Sequence, residues 1–510
     1  MKNILAISLI ILVMGMTGLA QEQPIKSLTL ADVIDQTLKN NLDLQIEMSN
    51  PQIARALWRK STSIFIPSLT FGFSNARRST PNSSKVTGVD IEKPESLGLS
   101  FSLVQNSPFG GNLNVTLDNS RNSTNSLDVL LNPRYGSLLN FTLNQPLLKD
   151  FGITPTKRNI YIARNNREKS LFALKQQVID LIYQAEEAYW NLVYSHQNMA
   201  VKEKSLQLAK DLLKQNEIQV KVGVSAPMDI LTAQAEVASR EGEALQVRSQ
   251  IQTYEENLRR ILNISQAPEA IVPADTPQFS AKEADFNEFL KTALEKRPDI
   301  EQVRLDLKSK NIDVRYFRNQ ALPDLQLSAS YYTQGMSGTL LQDGLPIPGL
   351  VGGNLSDALR DVLDRLYENY YIGLKLSIPV VNTSARADLV QARLNLGQSL
   401  LLLKKTESTI YSEVKQIIMD LGTNAKIVEA TRISRELAEQ KLAAEQKKLS
   451  VGLSTNYLVL QYQRDFANAQ IAELKSLIDY NLALSRVDKV LGTTLEKHNI
   501  EFGDFLAGKK

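Results

Sequence analysis

Residues 171–225 read LFALKQQVIDLIYQAEEAYWNLVYSHQNMAVKEKSLQLAKDLLKQNEIQVKVGVS. Leu171, Val178, Ala185, Leu192, Met199, Leu206, Leu213 and Val220 are apolar at intervals of seven, and Leu174, Leu181 and Ala188 add a second seam position. A heptad seam of this kind marks a helix packed lengthwise against other helices. The spacing predicts one helix over 158–222, about 65 residues and about 100 Å long at 1.5 Å per residue. It ends at Val222-Gly223-Val224-Ser225, where glycine suits a reversal needing positive φ or close backbone approach. A shorter helix then returns over 228–263.

The tip sequence recurs. Val451-Gly452-Leu453-Ser454 lies 229 positions further on, and the same offset pairs Ala163-Arg164 with Ala392-Arg393, Leu192 with Leu421, Leu231 with Leu460, Gln234 with Gln463 and Leu262 with Leu491. Nearer the start of each half the offset is 256, pairing Pro67 with Pro323, Leu38 with Leu294 and Asp43 with Asp299. We read two copies of one unit, 21–265 and 284–493. The linker, 266–283, has Pro268, Pro273 and Pro277 to break any helix, and 494–510 forms a tail. The first tip covers 222–228. In the second copy the long helix is expected over 386–450, the tip over 451–457 and the return helix over 457–492. The second seam is looser, interrupted by Glu407 and Arg435.

Each copy opens on a helical stretch, 30–65 or 284–321. Asn41 with Asp43, and Arg297-Pro298-Asp299, read as break-and-restart points inside it. Pro67 and Pro323 end these stretches. Strands follow near 67–77 and 137–146, carrying Leu69/Phe71/Phe73 and Leu139/Phe141/Leu143. Their counterparts lie near 323–333 and 369–379, carrying Leu325/Leu327 up to Tyr331 and Tyr370/Ile372/Leu374/Leu376/Ile378. Alternation of this kind gives a strand one apolar face, and about ten residues is the length a tilted strand needs to cross an outer membrane. Pro146 and Pro379 close the second strand of each pair.

Four such strands cannot close a barrel, and open edges are not tolerated in lipid. The chain is therefore expected to pool strands with identical copies, three chains giving twelve. Residues 97–120 resist that count. Leu97/Leu99/Phe101/Leu103 and Leu113/Val115/Leu117 also alternate, around a turn at Ser107-Pro108-Phe109-Gly110-Gly111. They form either a hairpin in an extracellular loop or two more barrel strands, making eighteen. The second copy has no counterpart, only a Gly- and Pro-rich loop over 335–353 and a short amphipathic helix near 355–367. The loop hairpin is the expectation adopted, and with it twelve strands.

The start of the chain reads as a secretory signal peptide over 1–20, with basic Lys2, an apolar run from Ile4 to Met14, and small residues before a cut after Ala20. The chain has no cysteine, hence no disulfide framework and no lipid anchor at the cut. Its net charge of +3 becomes +2 without Lys2, which does not point to nucleic acid. Beyond residue 20 no stretch approaches 18 consecutive apolar residues, so no membrane-crossing helix is expected. Catalysis has little to work with. The two histidines, His196 and His498, are far apart, and His196 is read as a solvated or interhelical polar residue. No metal-ligand cluster, P-loop or nucleophile elbow is present, and Gly349 to Gly353 reads as a flexible loop. No catalytic residue, cofactor or metal is expected.

The two-copy layout, Arg297-Pro298-Asp299, Gln145-Pro146-Leu147-Leu148, Ile378-Pro379-Val380, the two Val-Gly turns and the run from Ala483 to Gly492, taken in this order, resemble the TolC family of outer-membrane efflux and secretion channels. The resemblance covers nearly the whole mature chain. It implies a mainly α chain with β, whose two-fold repeat of antiparallel coiled-coil helices builds a trimeric periplasmic α-barrel under a twelve-strand barrel in outer-membrane lipid. It implies further that Val222, Gly223, Val224, Ser225, Val451, Gly452, Leu453 and Ser454 meet a periplasmic adaptor (membrane fusion) protein, joined to an inner-membrane efflux pump or ABC exporter. The family's first-copy tip has an aspartate six positions past the glycine, and Asp229 matches it. In the family's best-known member the second copy has acidic residues six and nine past the glycine, a tyrosine three before it and an arginine two after. Here those positions hold Leu458, Gln461, Leu449 and Ser454. The candidate gate is therefore Asp229, Leu458 and Gln461, closing by packing or by other polar contacts. The expected function is a passive exit duct. The alternative is a periplasmic coiled-coil scaffold without a pore.

Overall fold

The computed structural model describes residues 25–82, 85–223, 226–264, 270–282, 284–342, 345–348 and 352–503. The expected signal peptide at 1–20 lies outside these residues, as do Val224, Ser225 and Gly349. The first copy runs β1 (Ile25–Leu28), α1 (Leu30–Asn40), α2 (Leu42–Thr62), β2 (Ser68–Arg77), the two-residue bridges β3 (Thr80–Pro81) and β4 (Ile91–Glu92), β5 (Glu95–Asn106), β6 (Asn112–Ser123), β7 (Leu131–Pro146), α3 (Ile153–Lys221) and α4 (Pro227–Leu262). After β8 (Ala270–Pro273) the second copy runs α5 (Phe286–Lys296), α6 (Pro298–Gln320), β9 (Asp324–Gln342), the bridge β10 (Leu345–Pro346), α7 (Leu355–Leu363), β11 (Tyr367–Ser377), α8 (Thr383–Ser450), α9 (Asn456–Leu491) and the single turn α10 (Thr494–Lys497).

The residues form two compact units. One contains the described residues up to Asn50, those within Phe172–Glu301 and those from Lys405 onward. Its core lies along α3, whose seam residues Leu174, Val178, Leu181, Ala185, Ala188, Leu192 and Met199 are buried. Leu258, Ile261 and Leu262 of α4 and Leu474 and Ile478 of α9 pack into the same cluster. Toward the tip the buried positions become Ser205, Ala209, Leu212 and Asn216, while Leu206, Leu213 and Val220 are only half-buried. A straight helix drifts against a strict seven-residue repeat, so the seam rotates away from these three.

The linker is not wholly irregular. Ile271 is buried, and β8 pairs in parallel with β1. Its prolines exclude a helix but not a short strand with one free edge. The Tyr189 hydroxyl, deep in the core, lies 2.7 Å from the Asp275 carboxylate and 3.1 Å from Leu28 O, and Asp275 also accepts from Leu30 N at 2.7 Å. Burial pushes the Tyr189 hydroxyl well above its ordinary pKa, so it stays protonated and able to donate. Tyr189→Phe should cost about 1–3 kcal/mol, because it strips a half-buried carboxylate of a donor. A lower thermal midpoint of the helical circular-dichroism signal checks this.

Each break point closes on the end of the return helix of its own copy. Asn41 Oδ1 accepts from Leu44 N, capping α2, while its Nδ2 donates to Ile261 O at the end of α4. In the second copy Arg297 bonds Asp299 and Glu413, and its Nη1 lies 3.5 Å from Val490 O at the end of α9. The Arg297-Pro298-Asp299 motif and the run from Ala483 to Gly492 thus meet.

The other unit, Pro51–Leu171 with Gln302–Lys404, holds the sheet. Here, among the described residues, the expected four strands are corrected to six long ones, in the order β2–β5–β6–β7–β9–β11, all antiparallel. The hairpin at 97–120 is not a loop excursion. It is β5 and β6, inserted between β2 and β7, so that those two never pair. The lack of a second-copy counterpart argued for a loop, but the alternation at 97–117 matches its neighbours in register. Leu69, Leu103, Val115, Phe141, Tyr331 and Tyr370 form one row, one residue from each strand in turn. β9 also runs on through Gln342, into what read as a loop from 335. There α7 covers it, with Ala358 and Val362 buried against the sheet and Thr333 Oγ1 3.4 Å from Val362 O.

Candidate functional site

The two helix tips reverse by the same device. Gly223 and Gly452 sit at φ +80° and +77°, the left-handed region that glycine adopts without strain. In the second tip Leu453 N donates to Lys448 O at 2.9 Å and Gly452 N to Leu449 O at 3.0 Å, the paired bonds of a glycine-terminated helix. Ser454 Oγ donates to Glu445 at 2.6 Å, and Lys448 bonds the same carboxylate at 3.1 Å. Those bonds, Ser454's first, hold the Glu445 carboxyl below its ordinary pKa. Thr455 caps α9 by accepting from Leu458 N. In the first tip Gly223 N donates to Val220 O at 3.0 Å, and Pro227 opens α4.

Exposure distinguishes these tips from plain hairpin turns. Val222, Met228 and Leu231 at the first tip, and Val451, Leu453 and Tyr457 at the second, are all more than 60% exposed. Apolar side chains clustered in water at the end of a hairpin are a surface that a partner would cover. Val224 and Ser225 lie outside the described residues, so the first tip's share rests on its flanks.

Of the gate candidates, Asp229 is half-buried in the first turn of α4, where the helix N-terminus favours a carboxylate. Its backbone O accepts from Asn216 Nδ2 at 3.3 Å. Leu458 is half-buried and Gln461 exposed, in the opening turns of α9. The polar contacts that bind α4 to α9 lie elsewhere, further from the turns. Arg240 is buried and bonds Glu236 at 2.9 Å and Ser205 O of α3 at 2.7 Å, with Gln463 Oε1 and Leu460 O of α9 each at 3.4 Å. Arg464 of α9 bonds the other oxygen of Glu236. Burial raises the pKa of Glu236, but hydrogen bonds from Arg464 and Arg240 outweigh it, and the carboxyl lies below its ordinary range. This cluster, absent from the sequence reading, joins return helix to return helix across the two copies. The signal was Arg240 itself. It falls on the seam Ala233–Arg240–Val247, at intervals of seven, where a solvated arginine has no place.

Among the described residues no group of His, Asp and Glu could hold a metal ion. His498 Nε2 lies 3.0 Å from the buried Glu186, and His196 Nε2 is buried without a hydrogen-bond partner. No described helix is long and apolar enough to cross a membrane, which says nothing of the sheet. On that sheet one face is apolar. Leu69/Phe71/Phe73, Leu99/Phe101/Leu103, Phe141/Leu143 and Ile372/Leu374/Leu376 are exposed there. The opposite face carries Ser100, Ser102, Asn114, Thr116, Asn140, Thr142, Ser328 and Ser330.

Comparison with known proteins agrees with this geometry. A family model described as outer membrane efflux protein matches residues 33–263 and 289–493, most of the chain and both copies. The outer membrane efflux protein BepC of Brucella suis biovar 1 (strain 1330) is 21% identical over 344 residues, 67% of this chain and 69% of its own. A membrane protein from Pseudomonas aeruginosa superposes with a TM-score of 0.66 at 18% identity, covering 92% of each chain. The CmeC outer membrane channel of Campylobacter jejuni superposes with a TM-score of 0.64 at 18% identity, covering 92% of this chain and 90% of its own. At such identities the superpositions carry the fold, a helical part joined to an antiparallel sheet.

Proposed function

The chain belongs to the outer membrane efflux protein family, and on that premise we propose that it is the exit duct of a tripartite efflux or type I secretion system rather than an enzyme. The observation that carries the reading is the sheet's single apolar face. Exposed phenylalanine, leucine and isoleucine on one side, with serine, threonine and asparagine on the other, suit a wall between lipid and water. A soluble scaffold would leave that face in water, at a heavy cost in solubility.

Helix faces support assembly. Leu42, Ile46, Ile53 and Leu57 form an exposed apolar stripe on α2, and Val390, Leu394 and Leu401 form another on α8. One chain leaves both uncovered, and neighbouring copies in a ring would bury them. Three copies, with outer-membrane lipid around the sheet and an adaptor and inner-membrane pump or ABC exporter at the tips, account for every exposed apolar surface named so far. The tips Val222–Ser225 and Val451–Ser454 dock the adaptor. Asp229, Leu458 and Gln461 flank the closure, and the buried pair of Glu236 and Arg240 latches it.

The test is direct. The protein should fractionate with the outer membrane and run on gels as a trimer that only heat converts to monomer. A monodisperse monomer keeping its full β content in detergent overturns the duct and leaves the scaffold.

A further inference from the structure

Resting on the outer-membrane reading above, we infer that β5 and β6 are membrane-spanning strands, so that three copies of six strands close an eighteen-strand barrel instead of the family's twelve. The apolar row does not skip them. Leu103 and Val115 stand between Leu69 of β2 and Phe141 of β7, and one step along the strands Phe101 and Leu117 stand between Phe71 and Leu139. A hairpin outside the membrane has no need of apolar side chains aligned with a lipid-facing belt.

The opposite face is continuous as well. Ser102 Oγ donates to Asn114 across β5 and β6 at 3.1 Å, Asn144 Nδ2 to Asn112 across β6 and β7 at 3.3 Å, and Ser328 Oγ to Asn144 across β7 and β9 at 3.0 Å. This polar ladder runs from β9 through β7 and β6 to β5, as the lining of one water-filled lumen would.

The edges agree. Phe71 on β2 and Ile372 on β11 are 66% and 71% exposed, against 38% for Phe101 on β5. β5 is an interior strand, and the unpaired edges are β2 and β11. Six alternating strands leave those edges antiparallel, so β11 of one copy can pair with β2 of the next and close the ring. Barrel diameter grows roughly linearly with strand number, so eighteen strands make an exit about half again as wide as twelve. Barrels of about that size leave an open aqueous channel. The outer-membrane end then sets no narrow size limit. Size selection falls to the helix tips, and the cargo class extends to polar solutes too bulky for a twelve-strand exit.

The absence of cysteine makes the test clean, since each introduced cysteine is unique. Spin labels on Phe101→Cys and Val115→Cys, in trimers reconstituted into lipid, are compared with Ser100→Cys and Thr116→Cys on the other face. Phe71→Cys and Ile372→Cys serve as belt references. Collision with oxygen relative to a water-soluble nickel chelate should be several-fold higher at 101 and 115 than at 100 and 116, and equal to the references. If 101 and 115 are water-accessible while 71 and 372 stay in lipid, the barrel has twelve strands and the inference is overturned. If 71 and 372 are also water-accessible, the outer-membrane reading itself fails. Electron cryomicroscopy of the unmodified trimer, counting eighteen or twelve strands in cross-section, decides the matter where a label disturbs insertion.

Discussion

Gly223→Trp combined with Gly452→Trp should leave the trimer in the outer membrane at parental amounts and abolish export. Both glycines have positive φ, and a Cβ built on either meets no atom within 4 Å. A tryptophan therefore has room on the free protein. Its cost there is backbone strain, about 1–2 kcal/mol for an L-residue in the left-handed region. That is small beside the buried cluster along α3, α4 and α9. The side chain would instead occupy space that a docking partner needs, beside the exposed Val222, Met228, Val451, Leu453 and Tyr457. Gly223→Ala with Gly452→Ala carries similar strain without the bulk and should export nearly as well as the parent. Restoration of export in the tryptophan variant by a smaller residue at the adaptor's tip would establish contact. Full export by the tryptophan variant refutes docking at the glycines. Loss of the trimer in both variants makes the glycines purely structural.

What the sequence disclosed, and what it withheld, follows from how local each signal is. The α3 seam is written in one stretch of chain, and Val178, Ala185 and Leu192 are buried as their spacing requires. The tips were legible because Gly223 and Gly452 mark a reversal within four residues and because the mark occurs twice. The alternation of β5 and β6 was equally visible, but its place was not. Whether Phe71 pairs with Phe101 or with a residue of β7 is a choice among distant partners, and the symmetry of the two copies argued for the wrong one. Asymmetry between repeats is where such an argument fails, since an insertion in one copy is free to join the sheet. At the tips the exposed Met228 and Tyr457 could not be told from core residues, because helical periodicity does not say which faces lack a partner. The polar cluster behind the tips was hidden by a sound default, that charged residues on long helices face water. Glu236 and Arg464 look ordinary on that basis.

Glu236→Ala should raise the conductance of the isolated trimer in planar bilayers sharply, and Arg464→Ala should not. The two differ in burial. The Arg240 and Glu236 side chains are 5% and 11% exposed, whereas Arg464 is 58% exposed. Removing one member of a buried pair strands the other charge, at about 3–5 kcal/mol, while an exposed partner is worth about 0–1 kcal/mol. Arg240 keeps Ser205 O and Leu460 O in the variant but loses the carboxylate that pairs with it. Separation of α4 from α9 would let that guanidinium reach water, so the stranded charge favours opening. About 3 kcal/mol released in this way is roughly a hundredfold in open probability. The pH dependence has a fixed sign. The Glu236 carboxyl is held below its ordinary range when the latch is made, so its contribution is complete above that range and fades only as pH falls through the lowered value. Between about pH 5 and 8 the parental conductance should therefore be flat as far as Glu236 is concerned. Glu236→Gln tests charge apart from shape, since the amide keeps a hydrogen-bond acceptor but leaves Arg240 without a counter-ion. It should open the channel less than alanine does and more than Arg464→Ala. Equal conductance of the parent and Glu236→Ala, with the trimer intact in both, would make the cluster a packing feature and return the gate to Asp229, Leu458 and Gln461.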